Sequence, residues 1–202
     1  MCGSVTCVDR REFLESVAGI TALLPGLALL PLEQPAFAAG LHARAQAATA
    51  LRTLGTAQNA AVSCIAEILL PQTDTVGATE VGVNRFIDLL LTDSMVERDR
   101  NRFLEGLAAI DARSRALYGA PVASAHQDQQ QSLLRSLDEQ LPPRAPTKAE
   151  QALLDKQPVT AERGYELLKR LVVFAYFTSA PVAKDLIKAP IIPGRYDGCV
   201  ST

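Results

Sequence analysis

Apolar residues recur at three- and four-residue spacing through most of the chain, and almost nowhere do they alternate with period two. Val62, Ile65, Ala66 and Leu69 predict a helix over 61–70, stopped by Pro71. The polar run Gln72 to Ala78 follows, rich in side chains that bond their own backbone, and predicts a turn. Val83, Phe86, Ile87, Leu90 and Leu91 mark a second helical face, ending near Thr92-Asp93-Ser94. A third face, Phe103, Leu107, Ile110 and Leu117, closes at Tyr118-Gly119. Leu133, Leu134, Leu137 and Leu141 form a shorter one, halted by Pro142-Pro143. The span 162–178 predicts a helix holding the apolar run Leu171 to Phe177, which central burial explains better than exposure to another protein. Pro181 to Lys188 predicts a short terminal helix, and 40–56, Ala-rich and weakly periodic, a helical or mobile leader. The predicted class is all-α, an irregular helical bundle. Its final segment, Ala189 to Val200, carries two prolines and two glycines and predicts an extended non-helical tail lying on a neighbour's surface.

The first 38 residues follow a different rule. Arg10-Arg11-Glu12-Phe13-Leu14 precedes an apolar stretch from Val17 to Leu32 that Gly19, Pro25, Gly26 and Pro31 interrupt. A membrane-spanning helix needs about 20 uninterrupted apolar residues, so a processed export signal is the better account. Ala36 and Ala38 put small residues where a signal peptidase reads, which predicts cleavage after Ala38 and a single helical domain over 39–202. Asp9, Glu12 and Glu15 cancel the positive charge an ordinary secretory signal relies on; the paired arginines Arg10 and Arg11, with Phe13 and Leu14, resemble a twin-arginine signal. That route carries folded proteins, typically with a cofactor or partner already installed.

Composition narrows the function. Twenty basic and 22 acidic residues give no electrostatic reason to expect nucleic acid as a partner. Removal of residues 1–38 leaves 18 of each, and such neutrality suits a subunit whose surface is largely covered. Four cysteines without a Cys-x-x-Cys pair exclude a disulfide scaffold and a zinc pattern. Cys2 and Cys7 lie in the leader, Cys64 among Val62, Ile65 and Ile68, and Cys199 in the tail. A Cys64–Cys199 bridge and a bridge from Cys199 to another polypeptide are both open.

Catalytic constellations are scarce. His42 and His126 lack the Glu-x-x-His pairing of helical metal sites, and both are expected to be solvated. No nucleophile elbow or phosphate-binding loop occurs, so no catalytic, metal or cofactor-binding residue is assigned. Arg85 and Asp88 are expected to form a surface helix pair. Glu67 and Asp74 could form an acid–base pair, though a helix-face charge and a turn cap explain them as well.

Taken together, the twin-arginine leader, Ala66-Glu67-Ile68-Leu69-Leu70-Pro71-Gln72-Thr73-Asp74-Thr75 with Gly77-Ala78 and Gly82-Val83, and Tyr176-Phe177-Thr178 with Pro193-Gly194-Arg195-Tyr196-Asp197-Gly198 resemble the gluconate 2-dehydrogenase subunit 3 family. Val76 departs from the pattern, where the family usually has proline. The resemblance implies a non-catalytic small subunit that binds, helps mature and escorts an FAD-dependent sugar or sugar-acid dehydrogenase through the twin-arginine translocase. It implies no cofactor in this chain, FAD in the large flavoprotein, and haem c in a multihaem cytochrome that takes the electrons. The expected location is periplasmic, at the cytoplasmic membrane through the complex. Tyr176, Phe177, Pro193, Arg195, Tyr196 and Cys199 are the expected partner contacts. Two other readings stand beside it. One is an independent periplasmic helical-bundle enzyme using Glu67, Asp74 and His126; the other is a structural binding module without export duty.

Overall fold

A computed structural model describes residues 35–142, 146 and 148–184 of the chain. The regular elements among the described residues are helices, without a strand. In chain order the helices are α1 (Pro35–Ala47), α2 (Thr56–Leu69), α3 (Val83–Asp93), α4 (Glu97–Tyr118), α5 (Gln127–Glu139), α6 (Lys148–Leu154), α7 (Ala161–Phe177) and the single turn α8 (Ala180–Val182). None of these helices is long and apolar enough to cross a membrane.

Local chemistry sets the boundaries. Gly55 caps α2, its N–H donating to the Gln58 side chain at 2.8 Å, and Pro71 forces Leu70 out of helical geometry at the other end. Gly82, at φ 76°, takes the left-handed conformation that lets the chain turn into α3. Gly119, at φ 75°, closes α4 the same way. Glu97 and Asp99 in the first turn of α4, and Arg115 in its last, complement the helix dipole. Thr160 caps α7 by accepting the Arg163 N–H.

The core forms where α3 and α4 meet α7. Helix α3 lies deepest, with Val83, Phe86, Ile87, Leu89, Leu90 and Leu91 all buried, so its apolar surface is wider than the single face its spacing predicts. The longest packed seam runs between α4 and α7, with α5 against α7 beside it and α1 against α3. The seam depends on two glycines, Gly106 and Gly164, where the two backbones touch.

This packing corrects one expectation and refines two others. Leu117 is 52% exposed; the buried stripe of α4 continues from Ile110 through Ser114 to the half-buried Tyr118, because 3.6 residues per turn carries the seam past position 117. Of the helical and mobile alternatives for 40–56, the helical one holds for 40–47: helix α1 docks on α3, and Leu41, His42 and Ala45 are buried. The apolar run of α7 is one-sided: Leu171, Val172, Ala175 and Tyr176 are buried, Val173 and Phe174 half-buried, and Phe177 is 40% exposed. Of the predicted terminal helix, residues 181–184 fall within the described residues, and they are helical.

Candidate functional site

The segment Pro71 to Gly82 folds into a loop whose shape is dictated by one carboxylate. Glu67, in the last turn of α2, accepts the backbone N–H of Gln72 and of Thr79, both at 3.2 Å, and the Thr79 hydroxyl. Burial alone would raise its pKa, but the three hydrogen bonds outweigh it and hold the carboxyl below its ordinary value. Gly77 sits under this clamp. A Cβ there would lie 2.8 Å from Glu67 Oε1 and 3.0 Å from the Gln72 nitrogen, so a larger residue would push on the clamp. Asp74 is exposed and accepts the Thr73 hydroxyl at 2.9 Å. Glu67 thus clamps the loop, while Asp74 bonds only its neighbour's hydroxyl.

The far end of α7 closes on the same loop. The Tyr176 hydroxyl donates to the Val76 carbonyl at 2.7 Å, across 100 residues of chain. Tyr176 is buried, and Phe177, edge-on to its ring at 5.3 Å between centroids, turns outward. Thr178 donates to the Phe174 carbonyl at 2.7 Å and meets His42 Nε2 at 3.0 Å. His42 stacks at 4.3 Å on Phe86. It is 6% exposed, which corrects the expectation of a solvated histidine. Burial pushes its pKa down to about 4, against a smaller opposing contribution from the Ala175 carbonyl. His126 is exposed, at the N-terminus of α5, with its N–H on Gln129.

Asp88 is the second residue whose role the structure changes. It is 3% exposed, not part of a surface pair with Arg85. Its carboxylate accepts the backbone N–H groups of Arg52, Thr53 and Leu54 at 2.9, 2.9 and 2.7 Å. It therefore anchors the link between α1 and α2 onto α3. A charge set between Ile87 and Leu89-Leu90-Leu91 was the available signal, since a carboxylate in an apolar run must find donors. Thr79 carried no comparable signal.

Between α1, the loop and the start of α3 lies an open cleft of about 370 Å³, lined by His42, Gln46, Thr79, Glu80, Asn84 and Arg85. A neighbouring cleft of about 220 Å³ shares Asn84 and Arg85 and reaches Arg52, Asn59 and Asp88. Among the described residues no group of three His, Cys, Asp or Glu is placed to hold a metal ion. Cys64 is half-buried, its thiol against the Val122 carbonyl; burial, then the nearby Asp111 charge, push its pKa up. Arg10, Arg11, Phe13 and Leu14 of the expected leader lie outside the described residues, as do Pro193, Arg195, Tyr196 and Cys199 of the tail. Ala36 and Ala38 belong to α1, Ala36 exposed and Ala38 buried.

Two stretches far apart in sequence, the loop after α2 and the Tyr176-Phe177-Thr178 end of α7, thus form one end of the bundle. Residues 56–194, from the first residue of α2 onward, match the family described as Gluconate 2-dehydrogenase subunit 3. The chain belongs to that family. No curated protein and no solved structure matches it. Membership makes this chain an accessory-type subunit of a dehydrogenase complex, with catalytic subunits as its partners. The match starts downstream of α1, so the docking of α1 onto the bundle is a feature of this chain seen in the structure alone.

Proposed function

We propose that this subunit binds an FAD-dependent dehydrogenase of the glucose or gluconate type, helps it mature, and escorts it in folded form through the twin-arginine translocase. The complex then works in the periplasm at the cytoplasmic membrane, with FAD in the large subunit and haem c in a cytochrome that receives the electrons. Family membership over residues 56–194 carries the reading. Two further observations support it. Glu67, one of the two carboxylates considered for acid–base chemistry, and the buried Asp88 have their oxygens engaged by backbone N–H groups of the chain itself. The loop and the end of α7, which the resemblance singles out, come together and leave Phe177 facing outward.

The test is to express the flavoprotein with and without this chain and to fractionate the cells. Folded, flavin-loaded large subunit should reach the periplasm only in the presence of this chain, and should stay in the cytoplasm when Arg10 and Arg11 are both replaced by lysine. Equal export and activity without the chain would overturn the escort role. Turnover of a sugar by the purified chain alone would favour an independent enzyme.

A further inference from the structure

Helix α1 bears on how the leader is processed. Signal peptidases bind their substrates as extended chain, with the small residues before the cut seated in pockets and the backbone paired along the enzyme. The expected site, Ala36-Phe37-Ala38, is not extended in this structure; all three residues are in α1. Ala38 is 1% exposed. It continues the face formed by Leu41, His42 and Ala45, spaced one helical turn after another and all buried. Phe37 packs on the core beside it. Three attachments hold the helix down: His42 on the Phe86 ring, His42 Nε2 on the Thr178 hydroxyl, and the ion pair of Arg44 with Asp93 at the end of α3.

We propose that docking of α1 withholds the Ala38–Ala39 peptide bond from the signal peptidase, so that the folded subunit keeps residues 1–38 until α1 lifts from α3. The inference rests on the export reading above. When α1 does lift, the chemistry is ordinary hydrolysis: water adds across the amide, leaving a carboxylate on Ala38 and an amine on Ala39. The controlling quantity is the local opening of one helix, whose cost sets the fraction of chains open to the enzyme. An escort that must stay engaged with the translocase while carrying a folded partner gains from a leader that is not cut early.

The experiment compares three substrates of a purified type I signal peptidase in detergent: the full folded chain, the same chain with Leu41→Asp, and a synthetic peptide spanning residues 27–48. Mass spectrometry reads cleavage after Ala38. The peptide should be cut at least tenfold faster than the folded chain, and Leu41→Asp, which sets a charge in the docked seam, should recover most of that rate. Should Leu41→Asp unfold the whole bundle, the peptide against the wild-type chain still decides the matter. Equal rates for the folded chain and the peptide would overturn the proposal. So would a peptide left uncut after Ala38, since there would be no bond to withhold. Failure of the export reading has a separate signature: double Arg10→Lys, Arg11→Lys chains that are exported as well as wild type.

Discussion

Gly106 on α4 and Gly164 on α7 cross with their backbones in contact. A Cβ placed on Gly106 would lie 2.6 Å from the Gly164 Cα, and one on Gly164 would lie 2.5 Å from the Gly106 Cα. The atoms in the way are backbone, which no side-chain rotation can clear. The longest seam of the bundle is closed at this point by the absence of two methyl groups, and α7 thereby brings Tyr176 and Thr178 within reach of the Val76 carbonyl and His42.

Gly106→Ala should therefore destabilise the fold despite alanine's better helix propensity. Overpacking costs roughly 1–3 kcal/mol, against a gain of about 1 kcal/mol expected from removing a mid-helix glycine. Gly40→Ala is the control, since nothing lies within 4 Å of a Cβ there. Urea unfolding should show a lower midpoint for Gly106→Ala and a raised one for Gly40→Ala.

The Glu67 clamp predicts a loss confined to the loop. Glu67→Gln keeps the size of the side chain but removes the charge that two N–H groups and a hydroxyl bond to. Hydrogen bonds to a charged acceptor are each worth about 1.5–3 kcal/mol, less where solvent reaches them. A stability loss of roughly 1–2 kcal/mol is expected, with faster amide exchange at Gln72 and Thr79 than elsewhere. The pH sign follows from the lowered pKa: the clamp's contribution is complete above the ordinary glutamate value of 4.5 and fades as pH falls through the lower folded value. Glu67→Gln should show none of that acid dependence.

Asp88 makes a sharper case because it is buried. Asp88→Asn leaves an amide that accepts fewer of the three N–H groups of Arg52, Thr53 and Leu54 and brings donors of its own against them. The expected cost is roughly 2–3 kcal/mol, the scale of buried donors left unsatisfied. Thermal unfolding should fall by several degrees. An unchanged transition would mean that the link before α2 holds without this anchor.

How much of this was legible in the residues follows from what periodicity can see. Helices α2, α3, α4, α5 and α7 announce themselves through Val, Ile, Leu and Phe at helical spacing, and Gly82 and Gly119 mark turns that need positive φ. Helix α1 could be read only as helical or mobile, and its docking not at all, because its buried face is Ala38, Leu41, His42 and Ala45, while alanines such as Ala39 and Ala47 line its solvent side. Spacing cannot separate two faces made of the same residue, and a buried histidine reads as polar. The loop clamp was half legible: Glu67 and the glycine at 77 stood out, but the partner of Glu67, Thr79, and the return of Tyr176 depend on contacts across 12 and 100 residues. Asp88 was misread because an i, i+3 pair with Arg85 looks the same on paper whether the helix is at the surface or at the centre.

His42 supplies the last prediction, which concerns α1 directly. Its pKa of about 4 in the folded protein lies below the ordinary 6.5, so the unfolded chain binds a proton that the folded one refuses between those two values. Stability is then complete above pH 6.5, declines as pH falls through that window, and levels below about pH 4. At roughly 1.4 kcal/mol per pKa unit, the full decline is on the order of 3–4 kcal/mol. Carboxylates such as Glu67, held below 4.5, lose their contribution at lower pH, so the upper part of the window belongs to the histidine. Urea midpoints measured from pH 7 to pH 4.5 should fall for the wild-type chain and stay nearly flat for His42→Gln, which starts lower for want of the packing on Phe86. Protonation breaks the fit of α1 against Phe86 and Thr178 before it touches the α4–α7 seam. Amide exchange in α1 should therefore rise first as the solution is acidified, while α4 and α7 remain protected. Exchange that rises in all helices together would show that α1 opens only with the whole bundle.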